Sequence, residues 1–290
     1  MGPDVTEKVP ADTGVTNEFD RRRRLRGATV VMVALIGVFF SLYQIHLAAR
    51  GFILELPVPG ADPIRLVALQ QLQINAVHVG LALILTFLMY RGGSAQGRLA
   101  LGIDAMVARL RGQGVAGRWI AAPIEGVRWA LMGHDRDRVT PIDWALIGVV
   151  LLAVWYYLSE FDEILRMRAL GLDAGRALGE VYPLAATTLG WPIIGESSWA
   201  YLLGLAALLL VLEATRRALS VYLMLIIGSF GVYAKYAYLI PRDIAILAPL
   251  STPEASWATI VRNFWYTDQG ILGIPVLVSV QFIYIFILFG

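Results

Sequence analysis

Residues 207–212 read ALLLVL, an unbroken aliphatic stretch inside a longer apolar run that begins at Trp199. A membrane strand would alternate apolar and polar residues, because successive side chains face lipid and the barrel interior in turn. This run does not alternate. Inside a bilayer a helix satisfies its own backbone hydrogen bonds, whereas an open strand cannot. The stretch therefore predicts a membrane-spanning α-helix.

Similar apolar runs recur along the whole chain. A spanning helix needs about 20 mainly apolar residues. Six segments meet or approach that length, and they lie at 27–49, 74–90, 142–158, 199–212, 218–240 and 271–290. The sequence therefore predicts an all-α integral membrane protein with about six transmembrane helices.

Composition supports this class and excludes others. Apolar residues make up 58% of the 290 residues, whereas a soluble domain contains roughly 45–50%. The net charge of +2 is too small to indicate nucleic-acid binding. The high apolar content makes the lipid bilayer the expected partner. The chain has no cysteine, which excludes disulfides, thiolate metal sites and cysteine nucleophiles.

The distribution of basic residues predicts the orientation. Cytoplasmic flanks of membrane helices are enriched in Lys and Arg. If the arginine-rich segment 21–26 is cytoplasmic, six spans place sixteen basic residues inside and eight outside. We therefore expect a cytoplasmic N-terminus, with the long loop 93–138 on the same side.

Two loops have an interfacial composition. Residues 115–132 interleave Trp119 and Trp129 with Arg118 and Arg128, a mixture that suits the headgroup region. We expect one or two amphipathic helices there, lying on the cytoplasmic face. The outer segment 181–199, which is rich in Trp, Pro and Gly, is also predicted to be interfacial.

Few polar residues interrupt the predicted spans. Asn75 and His78 stand three residues apart, which places them on one helix face. Ionisable groups inside membranes often serve function, but such side chains also hydrogen-bond between helices and fix packing. Gln44 and His46, at the outer end of the first span, allow the same two interpretations.

Two carboxylates flank apolar segments at the predicted cytoplasmic side. Asp143 and Glu213 are expected to be solvated at the interface or paired with Arg138 or Arg217. No second histidine or carboxylate at helical spacing completes a metal site. Phosphate-loop, HExxH and GxSxG motifs are absent from the sequence. We therefore expect no catalytic residue, no metal, no cofactor and no enzyme activity.

Three stretches carry a family resemblance. The first is LEATRR at 212–217, and the second is YA at 233–234 followed by YLIP at 238–241. The third is YTDQGILGIP at 266–275, continuing into the apolar residues 278–290. In this order and spacing they resemble the N-terminal part of the fused permease of TRAP transporters, of the TAXI-associated type. Lys235, Tyr236 and Ala237 stand where this family usually carries glycine.

The resemblance implies a scaffold role in sodium-coupled uptake of organic anions across the bacterial inner membrane. It implies two protein partners, a large permease chain with the transport domain and a periplasmic substrate-binding protein. The family's sodium and substrate sites lie in that large domain, so this chain is not expected to transport alone. The motif positions expected to be structural are Glu213, Arg216, Arg217, Pro241, Gly270, Gly273 and Pro275.

The same resemblance divides the chain into four parts. Residues 1–26 form a cytoplasmic basic tail, and 27–217 form a four-helix domain that resembles the small permease subunit. Residues 218–270 are a connecting helix with an outer loop, and 271–290 begin a truncated large-permease domain.

Two other functions fit the sequence. The chain could be an independent membrane scaffold or assembly protein that docks a soluble partner through 93–138. It could also be an integral membrane enzyme acting on lipids through His46 or His78.

Overall fold

The described part of the fold is built from apolar helices. The computed structural model describes residues 22–48, 55–56, 64–65, 69–93, 98–132, 138–161, 164–165, 199–244, 246–283 and 286. The longer helices are α1 (Ala28–Ala48), α2 (Gln71–Met89), α3 (Arg98–Arg111), α4 (Val115–Met132), α5 (Pro141–Ser159), α6 (Trp199–Ala218) and α7 (Val221–Tyr236).

Five of these helices are long and apolar enough to cross a membrane. They are α1, α2, α5 and α6, together with α7 and its short 3-10 extension Ala237–Leu239. The predicted helical fold is confirmed at this level, and the five apolar helices are compatible with the predicted membrane protein. The run predicted at 199–212 is longer than expected, because its helix continues through Arg216 and Arg217 to Ala218.

The region of the sixth predicted span is irregular. A short α8 (Trp257–Val261) continues as a π-helix over Arg262–Tyr266. After a turn, α9 (Ile274–Val278) continues as a second π-helix over Ser279–Ile283. Residues 284–285 and 287–290 of the predicted span 271–290 lie outside the described residues.

Small polar residues set where several helices begin. The Thr140 hydroxyl accepts a hydrogen bond from the Asp143 amide, while Asp143 Oδ2 accepts from the Thr140 amide at 2.9 Å. This reciprocal cap, with Pro141 in the first turn, starts α5. Ser220 caps α7 by accepting from the Leu223 amide at 3.0 Å. The cap and its proline thus fix where the buried carboxylate of Asp143 stands.

The core lies around α2, which packs against α1, α5, α6 and α9. One buried cluster fills the end where α2 begins, and it includes Tyr157, Leu203 and Tyr266. A second fills the end where α2 finishes, and it includes Phe87, Val150 and Leu210. By contrast, α1 and α7 bury little of their apolar surface within the described residues. That surface matches lipid, which is itself apolar.

Two further elements lie outside this bundle core. Helices α3 and α4 pack against each other as a hairpin, so two helices are present where one or two were expected within 93–138. A two-residue antiparallel ladder joins β1 (Glu55–Leu56) to β2 (Ile64–Arg65). The predicted interfacial segment 181–199 lies outside the described residues apart from Trp199.

Candidate functional site

Five charged residues meet at the end of the bundle where α2 and α6 finish and α5 begins. We call Arg23, Asp143, Glu213, Arg216 and Arg217 the charged cluster. Asp143 comes from the first turn of α5, and the last three come from the last turns of α6. Arg23 lies in the segment before α1. The cluster therefore joins residues that are far apart in sequence.

Asp143 is the centre of the charged cluster. Its side chain is fully buried, and its Oδ1 accepts from Arg217 Nη1 at 2.5 Å. Its Oδ2 accepts from the Arg23 guanidinium and, at 2.7 Å, from the Thr140 hydroxyl. A buried charge is tolerated only when it is paired and hydrogen-bonded, and here both carboxylate oxygens meet that condition. Interfacial solvation of Asp143, one of the two sequence expectations, is wrong because both arginines cover it. The pairing with Arg217 is present.

Glu213 extends the cluster along α6. Its Oε1 accepts from Arg217 Nε and from Arg216 Nη2, both at 2.7 Å. Its Oε2 accepts from Arg216 Nε, also at 2.7 Å. Arg216 also donates to the Gly92 carbonyl at 2.6 Å, just beyond the end of α2. Positive and negative groups therefore alternate through the cluster, and each carboxylate oxygen binds at least one arginine. Such an arrangement fixes helix ends in place.

Arg23 caps α2 as well as neutralising Asp143. Its guanidinium donates to the Phe87 carbonyl at 2.7 Å and to the Leu88 carbonyl at 3.2 Å, and its amide donates to the Met89 carbonyl at 2.8 Å. These last carbonyls of a helix have no partner within it. Burial lowers the pKa of the Arg23 guanidinium, while the Asp143 carboxylate opposes that shift. The segment before α1 is therefore attached to the end of α2.

A second group of polar residues lies near the opposite end of α2. Gln44 of α1 contacts His78 Nδ1, and Ser279 Oγ contacts His78 Nε2 at 3.3 Å. The ring of Phe40 meets the imidazole edge-on at 5.0 Å between centroids. Gln44 is fully buried, and its Oε1 has no hydrogen-bond partner among the described residues. His78 thus bridges α1 and the π-helix that follows α9.

Asn75 secures the same irregular segment. Its Nδ2 donates to the Leu272 carbonyl at 2.6 Å, and its Oδ1 accepts from Gln71 at 2.8 Å. Gln281 Nε2 donates to Gln71 Oε1 at 3.2 Å. One polar face of α2 therefore contacts the turn at Leu272 and the π-helix that follows α9. We call Gln44, Gln71, Asn75, His78, Ser279 and Gln281 the polar cluster.

The turn between α8 and α9 requires two glycines. The Gly273 amide donates to the Gly270 carbonyl at 3.1 Å, and the Ile271 amide donates to the Phe264 carbonyl at 2.8 Å. A Cβ on Gly273 would collide with the Asp268 carbonyl, and one on Gly270 would collide with the carbonyls of Phe264 and Asn263. Gly270 and Gly273, two of the motif positions expected to be structural, are therefore at close backbone contacts.

The remaining sequence candidates lie apart from both clusters. Pro241 is exposed beyond the end of α7, and Pro275 is exposed in the first turn of α9. His46 is exposed on α1. The described residues contain no group of three or more His, Asp or Glu side chains placed to hold a metal ion.

Sequence reasoning missed Arg23, one of the most buried participants. Arg23 is one of five arginines in a six-residue stretch, and nothing local distinguishes it from its neighbours. The one signal for it is the isolated carboxylate of Asp143, which needs a basic partner when it is buried. Gln44 was expected either to serve function or to hydrogen-bond between helices, and its contact with His78 joins α1 to α2.

Comparison with known proteins adds no identification. No family model matches the chain, no curated protein matches it, and no solved structure matches it. The functional argument therefore rests on the residues and on the geometry of the two clusters.

Proposed function

We propose that this chain is a membrane scaffold, the small-subunit-like portion of a TRAP-type secondary transporter in a bacterial inner membrane. In this proposal a separate transport-domain chain moves the substrate, an organic anion driven by sodium and delivered by a periplasmic binding protein. The chain described here braces that moving part and does not transport alone.

The charged cluster is the observation that supports a bracing role most directly. Ion pairs tie the start of α5 to the end of α6 and to the segment before α1. Arginine hydrogen bonds to backbone carbonyls attach the end of α2 to the same cluster. Breaking one buried pair leaves an uncompensated charge at a cost of about 3–5 kcal/mol. Helix ends held in this way resist relative movement, which is what a scaffold requires of its cytoplasmic side.

The motif residues support the same proposal. Glu213, Arg216 and Arg217, from the LEATRR stretch, belong to the charged cluster, and Gly270 and Gly273 shape the turn after α8. These residues of the family resemblance thus make contacts that maintain structure. Tyr266, which begins the third stretch, donates to the Ala200 carbonyl at 2.7 Å and docks that turn on α6.

The contacts around His78 favour the scaffold over an enzyme. The usual catalytic triad of a hydrolase contains a nucleophile, a histidine base and a carboxylate that orients the histidine. Here Ser279 and His78 are in contact, but the amide of Gln44 stands in the place of the carboxylate. An amide cannot stabilise an imidazolium as a carboxylate does. These three residues therefore serve better as a hydrogen-bonded link between helices.

Affinity purification in mild detergent tests the proposal. A tag on the N-terminal tail is used to purify the chain from native membranes, and mass spectrometry identifies what co-purifies. We expect a large multi-span chain at a stoichiometric level. The test variant Asp143→Asn should lose it, whereas the control Asp104→Asn, which alters a partly exposed ion pair in the α3–α4 hairpin, should retain it.

Three results would contradict the proposal. Recovery of the chain alone would remove the transporter assignment. Recovery with soluble proteins only would support the independent scaffold. A lipid-modifying activity lost in a folded His78→Ala variant would support the enzyme.

A further inference from the structure

Helix α4 presents an uncharged, exposed stripe along its length. Val115, Trp119, Ala122, Gly126 and Trp129 recur at spacings of three and four residues, so they share one helix face, and all five are exposed. Trp119 is the most exposed of the group, at 78%. The neighbouring positions Ile120, Pro123 and Val127 widen the stripe on one side and are also apolar and exposed.

The opposite face of α4 is covered by α3. Gly117 and Ala121 are buried there. Arg128 on α4 donates to Asp104 on α3 at 2.7 Å, and Arg111 on α3 pairs with Glu125 on α4. Helix α3 therefore lies on the polar side of α4, and the exposed stripe faces away from α3.

The hairpin also has a surplus of positive charge. Residues 98–132 contain five arginines and two acidic residues. Both acids are engaged within the hairpin by Arg111 and Arg128. Arg109 and Arg118 are exposed and have no carboxylate partner among the described residues. Arg118 is adjacent to Trp119 at the border of the stripe, so apolar and cationic groups stand side by side.

We propose that α4 docks on the anionic headgroup layer of the membrane that the chain spans. The exposed stripe would enter the interface, where Trp side chains are favoured. Arg118 would contact anionic headgroups, and α3 with Arg109 would form the water-facing layer above. An amphipathic helix with an aromatic apolar face and a basic border binds such surfaces through buried apolar area and charge attraction.

This inference rests on the proposed membrane placement of the hairpin and not on the transporter assignment. If the stripe binds a soluble protein instead, it should be exposed to water in the purified chain, where that protein is absent. The purified chain in a lipid nanodisc therefore distinguishes a lipid surface from a protein partner, whether or not a transport-domain chain exists.

The absence of cysteine makes site-specific spin labelling direct. Ala122→Cys places one label in the exposed stripe, and Ala105→Cys places a matched label on the exposed face of α3. Collision rates with oxygen, which concentrates in lipid, and with a water-soluble nickel complex report the depth of each label. In nanodiscs containing phosphatidylglycerol, we expect oxygen to dominate at position 122 and the nickel complex to dominate at position 105.

Charge dependence is measured in the same system. Each basic residue near an anionic surface contributes about 1 kcal/mol. Arg118→Ala should therefore lower the ratio of lipid-docked to undocked α4, as reported by the label at position 122, about fivefold in phosphatidylglycerol. The same substitution should leave this ratio unchanged in phosphatidylcholine. Equal nickel accessibility at 122 and 105 would overturn membrane docking and leave the stripe to a protein partner. Equal protection of position 122 in both lipids would overturn the anionic specificity.

Discussion

At the scale of single residues, Asp143 determines whether the charged cluster is balanced. It is the carboxylate shared by Arg23 and Arg217, and its side chain has no exposure to solvent. Glu213 can still pair with Arg217 when Asp143 is changed, but within the described contacts Arg23 has no other carboxylate. The cluster therefore depends on this residue more than on any of its arginines.

Replacing Asp143 with Asn keeps the shape of the side chain and removes its charge. We expect the free energy of unfolding to fall by about 3–5 kcal/mol, the range for breaking a buried ion pair. Thermal unfolding in detergent measures the loss. Asp104→Asn is the control, because its pair with Arg128 is partly exposed and such pairs contribute about 1 kcal/mol or less. Equal losses of unfolding free energy in the two variants would show that the charged cluster is not essential for stability.

The residue scale also marks the limit of sequence reasoning. The pairing of Asp143 with Arg217 was among the expected alternatives, since both lie at the same predicted membrane face. Arg23 was not predicted, because it stands 120 residues before Asp143 and among similar arginines. Pairing partners depend on how helices pack, which an apolar pattern does not specify.

At the scale of helices and turns, the irregular segment between α8 and α9 is the main departure from a continuous span. Two π-helical stretches, Arg262–Tyr266 and Ser279–Ile283, lie on either side of the turn and α9. π-Helices are rare, and most are single turns within an α-helix, often at functional sites. In the turn, the Leu272 carbonyl accepts a hydrogen bond from Asn75 on the polar face of α2.

Gly273 tests how rigid this turn is. Gly273→Ala places a methyl group against the Asp268 carbonyl, and we expect the free energy of unfolding to fall by about 1–3 kcal/mol, as for other overpacked sites. Amide hydrogen exchange across 257–283 should accelerate. Gly228→Ala is the control, because its Cβ on α7 would meet open space and the helix should gain roughly 0.5–1 kcal/mol. Unchanged exchange in Gly273→Ala would mean that the turn adapts.

Element boundaries were predictable where they depend on local chemistry. The apolar run at 142–158 corresponds to Pro141–Ser159, because helix length in a membrane follows from the run of apolar residues itself. The run at 271–290 gave no sign that the α-helix changes to a π-helix after Val278. That change accompanies contacts of Ser279 and Gln281 with α2 residues some 200 positions earlier.

At the scale of the whole molecule, the two ends of the bundle differ in charge. The charged cluster lies at the start of α5, and helix α4 of the hairpin packs against α5. The turn after α8 lies at the other end, where Tyr266 meets the first residues of α6. We therefore expect the arginine-rich end to be cytoplasmic.

Thiol labelling in spheroplasts tests this orientation. Gln113→Cys lies in the exposed turn between α3 and α4, and Glu254→Cys lies in the exposed loop before α8. A membrane-impermeant maleimide should label Glu254→Cys in intact spheroplasts and Gln113→Cys only after permeabilisation. The wild-type chain, which has no cysteine, provides the background. The opposite labelling pattern would invert the proposed topology.

The attachment of Arg23 to Asp143 has a consequence for biosynthesis. Asp143 is translated 74 residues before Arg217, an interval of roughly 4–15 s at ordinary elongation rates of about 5–20 residues per second. Of the two arginines that bind Asp143, only Arg23 has been translated during that time. We therefore expect Arg23 to stabilise the new carboxylate of α5 until α6 is made. Pulse-chase labelling should show that Arg23→Ala shortens the lifetime of the nascent protein, whereas Arg26→Ala, a control at an exposed arginine of the same segment, should not.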